Sequence, residues 1–164
     1  MGLPIAPQSG AASQPKRRAR GLGAFKRPES IPYMVRALAE DDLRPTAEGV
    51  LQSIGRAARP QLVRAAIHSF DSVRPESETA LRARRSALRV LLEIGVSRKE
   101  WPFLRPLMQD EDLQIAMLAC IACDRVGTAS DRTSAASRLT VLRSRGDWLQ
   151  RQQIDALAKG STGE

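Results

Sequence analysis

One segment of this chain recurs, and each copy ends in a glycine. Aligned on Gly55, Gly95 and Gly127, every copy consists of a short polar or acidic turn, an apolar pattern with helical spacing, and the glycine. A weaker fourth copy ends at Gly160. Periods of about 20–50 residues are typical of stacked repeat architectures. Because one such unit cannot bury its own apolar face, the sequence predicts several units that stack on one another.

The first copy predicts two helices joined by a tight turn. Ser30 is placed to cap the first helix, and Asp42 is placed to cap the second after the acidic turn 40–42. Pro45 suits the first turn of a helix, and Gly55 can adopt the left-handed conformation that ends one. The residues that these helices should bury are Ile31, Met34, Val35 and Leu38, then Leu43, Ala47, Val50, Leu51 and Ile54.

The other copies predict three more helical pairs. The second pair contains a longer loop, 71–77, and Pro102 and Pro106 indicate that the third pair has a first helix that starts late or bends. Segment 113–126 is apolar nearly all round, as expected of a helix packed on both sides. Segment 131–160 has fewer large apolar residues and should cap the stack. The inward-facing residues of the second pair are Val63, Ala66, Ile67 and Phe70, then Ala80, Ala83, Ala87, Leu91 and Ile94.

The second helix of the second pair carries arginines on two faces. At about 100° per residue, Arg84 falls within the apolar arc, where an unpaired charge is costly, so it should contact a carboxylate. Arg82, Arg85 and Arg89 fall together on the opposite face, and we call these three residues the arginine stripe. The same polar face carries Glu78 and Glu93. The arginine stripe is the candidate contact surface, and the alternative is that it is only a solvated polar face.

Residues 1–29 differ in composition from the rest of the chain. The formal net charge is +8, and residues 1–30 account for +5 of it, with six Lys or Arg and one Glu. Prolines and glycines interrupt this segment, and it shows no helical or strand period, so we expect a disordered basic tail. Its composition suits either a binding arm or a targeting signal. The helical domain should then span 30–160, followed by a disordered end, 161–164.

The sequence offers little support for catalysis or for a bound cofactor. Cys120 and Cys123 lie well inside a predicted helix, away from the N-terminal end that lowers a thiol pKa, so we expect buried, inert thiols. A zinc site would need two more ligands, and His68 is the only histidine. No glycine-rich phosphate loop is present, and the paired acids of the turns are explained as helix caps. We therefore predict that the protein is not an enzyme and binds no metal or cofactor.

The apolar segments of the chain are too short to cross a membrane. No stretch approaches the roughly 18 consecutive apolar residues of a membrane span, and the first 30 residues lack the apolar core of a secretory signal. We expect a cytoplasmic protein that does not contact a membrane. Trp101 and Trp148 stand near predicted helix starts and should pack between repeats.

Three segments resemble the HEAT-repeat family, in particular the short bacterial HEAT-like repeats of the phycobilisome-lyase type. They run from 38–44 to 54–55, from 83–84 to 94–95 and from 107–113 to 126–127. The resemblance covers about residues 30–160. It implies an all-α fold, a right-handed α-solenoid of about four HEAT-like helical pairs in which second helices line a concave surface.

The resemblance also implies an ion-pair ladder between neighbouring repeats. The family places aspartate in the turn within a repeat and arginine near the start of the second helix. The residues that match this pattern are Asp42, Arg44, Arg84 and Asp112. Ala116 and Leu149 stand where arginine would recur, so the ladder should be incomplete.

These observations together predict a non-catalytic protein–protein interaction adaptor or scaffold subunit. It would act alone or as one component of a larger complex. Its arginine stripe would bind an acidic partner protein, and the tail would add reach. The tail cations are Lys16, Arg17, Arg18 and Arg20. The alternative is a nucleic-acid-binding protein that uses the tail and the arginine stripe together, through phosphate contacts. A third hypothesis, a lyase-like role on a bilin chromophore, is implied by the resemblance alone.

Overall fold

The structure, a computed structural model, describes residues 27–68 and 75–160, and for Gln153 and residues 156–160 it describes the backbone only. Several sequence predictions lie outside these residues: most of the basic tail with Lys16, Arg17, Arg18 and Arg20, the end 161–164, Phe70, and most of the loop 71–77.

Helices and the turns between them make up the described residues, and no β-strand occurs among them. The helices are α1 (Ile31–Ala37), α2 (Arg44–Ile54), α3 (Arg59–Ile67), α4 (Glu78–Ile94), α5 (Trp101–Leu104), α6 (Leu113–Val126), α7 (Ala129–Arg145) and α8 (Trp148–Gly160). Turns of 3-10 helix span Pro28–Ser30, Gly55–Ala58 and Arg105–Gln109, the last continuing from α5. The predicted all-α class is confirmed, and the first helix of the third pair starts late, at Trp101, as one of the two predicted alternatives had it.

The helices contact one another in a regular order. We call α1, α3, α5 with its 3-10 turn, and α7 the first-helix layer, because each opens one of the predicted pairs. Within this layer α1 contacts α3, α3 contacts α5, and the 3-10 turn contacts α7. The second helices follow the same order, with α2 on α4, α4 on α6 and α6 on α8. Each pair thus packs on the next one in the sequence.

The buried side chains follow the predicted apolar faces. In α1 the residues Ile31 and Val35 are buried, and in α4 so are Ala83, Ala87 and Leu91. Helix α6 has the predicted bounds, and most of its residues are buried. Such burial is what a helix covered by neighbours on several sides should show.

Two predicted N-caps are wrong, and so is one predicted core residue. Ser30 donates its hydroxyl to the Arg27 carbonyl at 2.7 Å, and Asp42 caps nothing because α2 begins after Leu43, which has helical φ and ψ. An N-cap residue needs an extended backbone, and this tight turn leads into the helix without one. Leu43 therefore stays in the turn, half exposed. Asp112 does cap α6, accepting from the Ile115 N–H at 2.9 Å.

The recurring glycines have two different physical reasons. Gly55 and Gly95 have φ of 69° and 91°, in the range that favours glycine at a helix end. Gly127 has an ordinary φ of −71°, but a Cβ there would lie 2.6 Å from the Cys123 carbonyl oxygen. The left-handed ending predicted at Gly55 is confirmed, and the third copy requires glycine because of a close approach instead.

Candidate interaction surface around helix α4

Arg84 lies in the core, where its guanidinium contacts two carboxylates. The residue is 4% exposed, and its Nε donates to the Ala66 carbonyl at 3.0 Å. Its Nη1 pairs with Glu76, and its Nη2 lies 2.5 Å from Oδ2 of Asp110. The prediction that this arginine would contact a carboxylate is confirmed. One side chain thereby ties the end of α3, the segment before α4 and the turn before α6.

Ion pairs also form between neighbouring helical pairs, although not with every predicted partner. Arg44 pairs with Asp41 at 2.6 Å, and Arg82 reaches the same carboxylate at 3.3 Å from α4. On the other side of α4, Arg85 pairs with the N-cap residue Asp112. We call these contacts, with Arg84–Asp110, the ladder. Asp42 forms no ion pair within residues 27–68 and 75–160, because Asp41 occupies the position beside Arg44.

Each member of the arginine stripe is ion-paired within the chain. Arg82 and Arg85 share Glu78, at 3.2 and 2.9 Å, in addition to their ladder contacts. Arg89 lies 3.5 Å from Glu48 of α2. The side chains of Arg82 and Arg89 are about half exposed, and that of Arg85 is 20% exposed. The stripe lies on the polar face, as predicted, but carboxylates of this chain balance its charge.

Hydrogen bonds from uncharged side chains to carboxylates also join α2 and α4. Ser86 donates to Glu48, and Gln52 donates to Glu93. Ser86 is buried, so its hydroxyl needs a partner in the folded chain. Side chains on the face of α4 that the sequence marked as a contact surface thus bond to residues of α2, although Arg82, Arg89 and Glu93 remain exposed.

Ion pairing shifts the pKa values of two ladder carboxylates, Asp41 and Asp112. The hydrogen bond from Arg44 holds the pKa of Asp41 below its usual value. Burial raises the pKa of Asp112, but the Arg85 hydrogen bond and the Ile115 N–H together outweigh burial, and the net pKa is lowered. The pKa of Arg85 is raised, first by its hydrogen bond to Asp112. The ion pairs of Asp41 and Asp112 are therefore most stable when these two carboxylates are ionised.

We expect Asp112→Asn to flatten the acid side of the stability profile. A carboxylate whose folded pKa is lowered stabilises the fold above its unfolded value of about 3.9, and this contribution is lost as pH falls toward the folded pKa. Asparagine keeps the helix cap but cannot make this contribution. Urea unfolding between neutral pH and about pH 2 should therefore show a shallower slope than the wild-type chain.

Asp42→Asn is the matched control for this experiment. Asp42 is exposed and forms no ion pair in the described part of the chain, so the variant should keep the wild-type slope. Equal slopes for Asp112→Asn and the wild-type chain would show that the Arg85 pair adds no pH-dependent stability.

The two tryptophans lie in contrasting surroundings. Trp101 is buried, and its Nε1 donates to Oδ2 of Asp131 at 2.9 Å, which lowers the pKa of that carboxyl. Arg105 pairs with the same carboxylate at 2.9 Å, and Thr128 donates to it. The prediction that Trp101 packs between repeats is confirmed, because it joins the third pair to α7. The same prediction for Trp148 is wrong: it is 70% exposed at the start of the last helix.

The cysteines and the histidine form no reactive cluster in the described residues. Cys120 and Cys123 are buried free thiols, and burial raises their pKa values to about 12 and about 11. This confirms the prediction of buried thiols, and it disfavours the thiolate at neutral pH. His68 is exposed. No group of three or more His, Cys, Asp or Glu that could hold a metal occurs in residues 27–68 and 75–160.

The fold contains grooves that the sequence did not reveal, because each forms between separate segments of the chain. A cleft of about 550 Å³ lies between α6, α7 and α8, with Leu139 and Ile154 in its wall and the 2.9 Å pair Arg143–Asp155 at its rim. A smaller groove of about 300 Å³ lies between α1 and α3. The sequence pattern of a single helix does not indicate such a groove.

The fold defines the described part of the chain as an all-helical protein with a charged seam on either side of α4. None of its helices within the described ranges is both long enough and apolar enough to cross a membrane. No family model, no curated protein and no solved structure matches the chain.

Proposed function

We propose that the chain is a right-handed, HEAT-like α-solenoid of about four helical pairs, and that it serves as a non-catalytic adaptor or scaffold subunit in the cytoplasm. The observation that carries the proposal is the ladder. Arg82–Asp41 and Arg84–Asp110 join α4 to the pairs before and after it, in the order expected of stacked repeats. Stacked repeats present an extended surface of fixed shape, which suits a protein that holds another molecule.

The charge of the chain favours an acidic partner protein. Lys and Arg number 26 and Asp and Glu number 18, for a formal net charge of +8. Opposite charge on a partner speeds encounter and disfavours basic competitors, even where it adds little to final affinity. The proposed activity is thus the binding of an acidic protein, alone or within a larger assembly.

Nucleic-acid binding is the second candidate, and the composition of the first residues favours it. Residues 1–26 contain five Lys or Arg and no Asp or Glu. A segment of this kind neutralises phosphates and releases counterions, so its affinity falls steeply as salt rises. The two candidate functions therefore predict different binding partners and a different dependence of binding on salt.

Native mass spectrometry of complexes formed by the tagged full-length chain in its host tests the proposal. Samples are prepared with and without nuclease, at about 50 and 200 mM salt. We expect a stoichiometric complex with an acidic protein that survives nuclease. A chain recovered alone, or bound only to nuclease-sensitive material, would contradict the adaptor function, and the second of these results would support the nucleic-acid candidate.

A further inference from the structure

Carboxylates are nearly absent from the first-helix layer. Helices α1, α3 and α5 and the 3-10 turn after α5 contain no Asp or Glu, and α7 contains only Asp131. The arginines of the layer are Arg36, Arg59, Arg64, Arg105, Arg132, Arg138, Arg143 and Arg145. The second helices, in contrast, carry Glu48, Glu78, Glu93, Asp124 and Asp155. The acidic residues that balance charge in this fold therefore lie mostly on the side away from the first-helix layer, or in turns.

Six of the eight arginines of this layer form no ion pair with a carboxylate in the described residues, and the exceptions are Arg105 and Arg143. Arg59 donates to the Ile94 carbonyl at 3.3 Å, and Arg105 pairs with Asp131. Arg36 and Arg64 are exposed, and neither forms an ion pair or a side-chain hydrogen bond within ranges 27–68 and 75–160. They contrast with the arginine stripe, where every guanidinium has a carboxylate partner.

Arg36 and Arg64 line the groove of about 300 Å³ between α1 and α3. Val35 and Ala65, both buried, contribute apolar surface to the groove, so cations stand beside an apolar floor. A groove of this volume is at the small end of those that hold a ligand, enough for one or two side chains. It suits a segment that offers an apolar side chain flanked by carboxylates.

Exposed aromatic rings lie on the same layer. Tyr33 of α1 is 70% exposed and Phe103 of α5 is 62% exposed, and α3 packs against both helices. Aromatic residues and arginine are enriched in protein–protein interfaces and dominate their binding energy. An exposed aromatic ring, in contrast, gains no stability from its contact with water. Exposed rings and unpaired guanidiniums therefore occur on neighbouring helices of this layer.

We propose that the first-helix layer around Arg36 and Arg64 is the surface that binds the acidic partner, an acidic polypeptide segment with apolar side chains. This rests on the proposed adaptor function and moves its binding site away from the arginine stripe. A phosphate backbone fits this groove less well, because the surface beside Arg36 and Arg64 is formed in part by the apolar residues Val35 and Ala65, which offer a phosphate no partner. The chain's own residues 1–26 are excluded as occupant by charge, since they contain cations and no carboxylate.

Binding of a short fluorescein-labelled peptide of alternating glutamate and leucine to the full-length chain tests the surface, with a labelled DNA duplex as the second probe. The variant Arg36→Gln/Arg64→Gln removes the two cations. The matched control, Arg82→Gln/Arg89→Gln, removes two exposed cations from α4. Circular dichroism verifies that both variants fold, and Arg36→Lys/Arg64→Lys, which keeps the charge, should restore binding in part.

We expect the peptide to bind the wild-type chain, the Arg36/Arg64 variant to bind it about tenfold or more weakly, and the control to change its affinity less than about twofold. If both variants lost equal affinity for the peptide, or if neither lost any, the assignment of this binding surface would be wrong. The proposal would also be overturned if the DNA duplex bound through Arg36 and Arg64 while the peptide did not bind. If an acidic protein is still recovered by native mass spectrometry in any of these cases, the adaptor function stands and only its location fails.

Discussion

Arg84→Met is expected to destabilise the protein by about 3–5 kcal/mol, measured as the free energy of unfolding in urea. The guanidinium is buried with Glu76 and Asp110, whose side chains are only 5% and 15% exposed. Methionine fills a similar volume but removes the buried charge that both carboxylates contact, and it leaves Asp110 without an ion-pair partner among the described residues. Removing one member of a buried ion pair is costly for this reason, even where replacing all members would not be.

Arg89→Met provides the control for this prediction. Arg89 is on the same helix, is about half exposed and contacts one carboxylate, Glu48, at 3.5 Å. An exposed pair of this kind contributes at most about 1 kcal/mol, so the control should unfold close to the wild-type midpoint. If the two variants lose equal stability, the burial and the two-carboxylate contact assigned to Arg84 are wrong.

Trp101→Ala is expected to cost about 3–5 kcal/mol, the range for truncating a large buried aromatic side chain. The indole is buried between the third pair and α7, and its N–H serves Asp131. The variant loses both the packing and this donor. Chemical unfolding followed by circular dichroism gives the free energy.

Trp148→Ala offers a comparison with the same chemical change at an exposed site. Its ring is 70% exposed, so truncation should alter the free energy of unfolding by no more than about 0.5 kcal/mol. A large loss at Trp148 would show that this ring is covered in solution, as the sequence alone had suggested.

Local periodicity was sufficient to predict most of the helices and their buried faces. The bounds of α6 follow from its apolar run and from Asp112 as its cap. The burial of Arg84 and its need for carboxylates follow from its angle on α4, and the left-handed Gly55 follows from its place after α2. Each of these properties depends on residues within a few turns of one another, which is why a sequence pattern can indicate them.

The missed features depend on which helices lie side by side. Asp41 and Arg82 are 41 residues apart, and Arg85 and Asp112 are 27 apart, so no local pattern could indicate that these pairs balance the arginine stripe. The exposure of Trp148 depends likewise on whether a neighbouring helix covers its ring. The depletion of acids from the first-helix layer was visible in the sequence, but it became interpretable only after the helix bounds placed those segments in one layer.

The failed caps have a more local cause. The sequence was compatible with Ser30 and Asp42 at the starts of helices, since both residue types commonly cap. The backbone instead enters α1 and α2 through tight turns, where the Arg44 N–H donates to the Glu40 carbonyl at 2.8 Å. Residue type indicates that a cap is possible, whereas the extended backbone that a cap needs is decided by the turn.

Stacking of neighbouring helical pairs through the ladder is tested most directly by a double-mutant cycle on Arg84 and Asp110, which belong to adjacent pairs. Arg84→Met, Asp110→Asn and the double variant are compared with the wild-type chain by urea unfolding. Asparagine keeps the acceptor that Asp110 offers the Asp112 N–H at 3.0 Å. We predict a coupling free energy of about 1–3 kcal/mol, as expected of buried groups in contact. Effects that add to within about 0.3–0.5 kcal/mol would mean that the two sites are independent, and would contradict the stack.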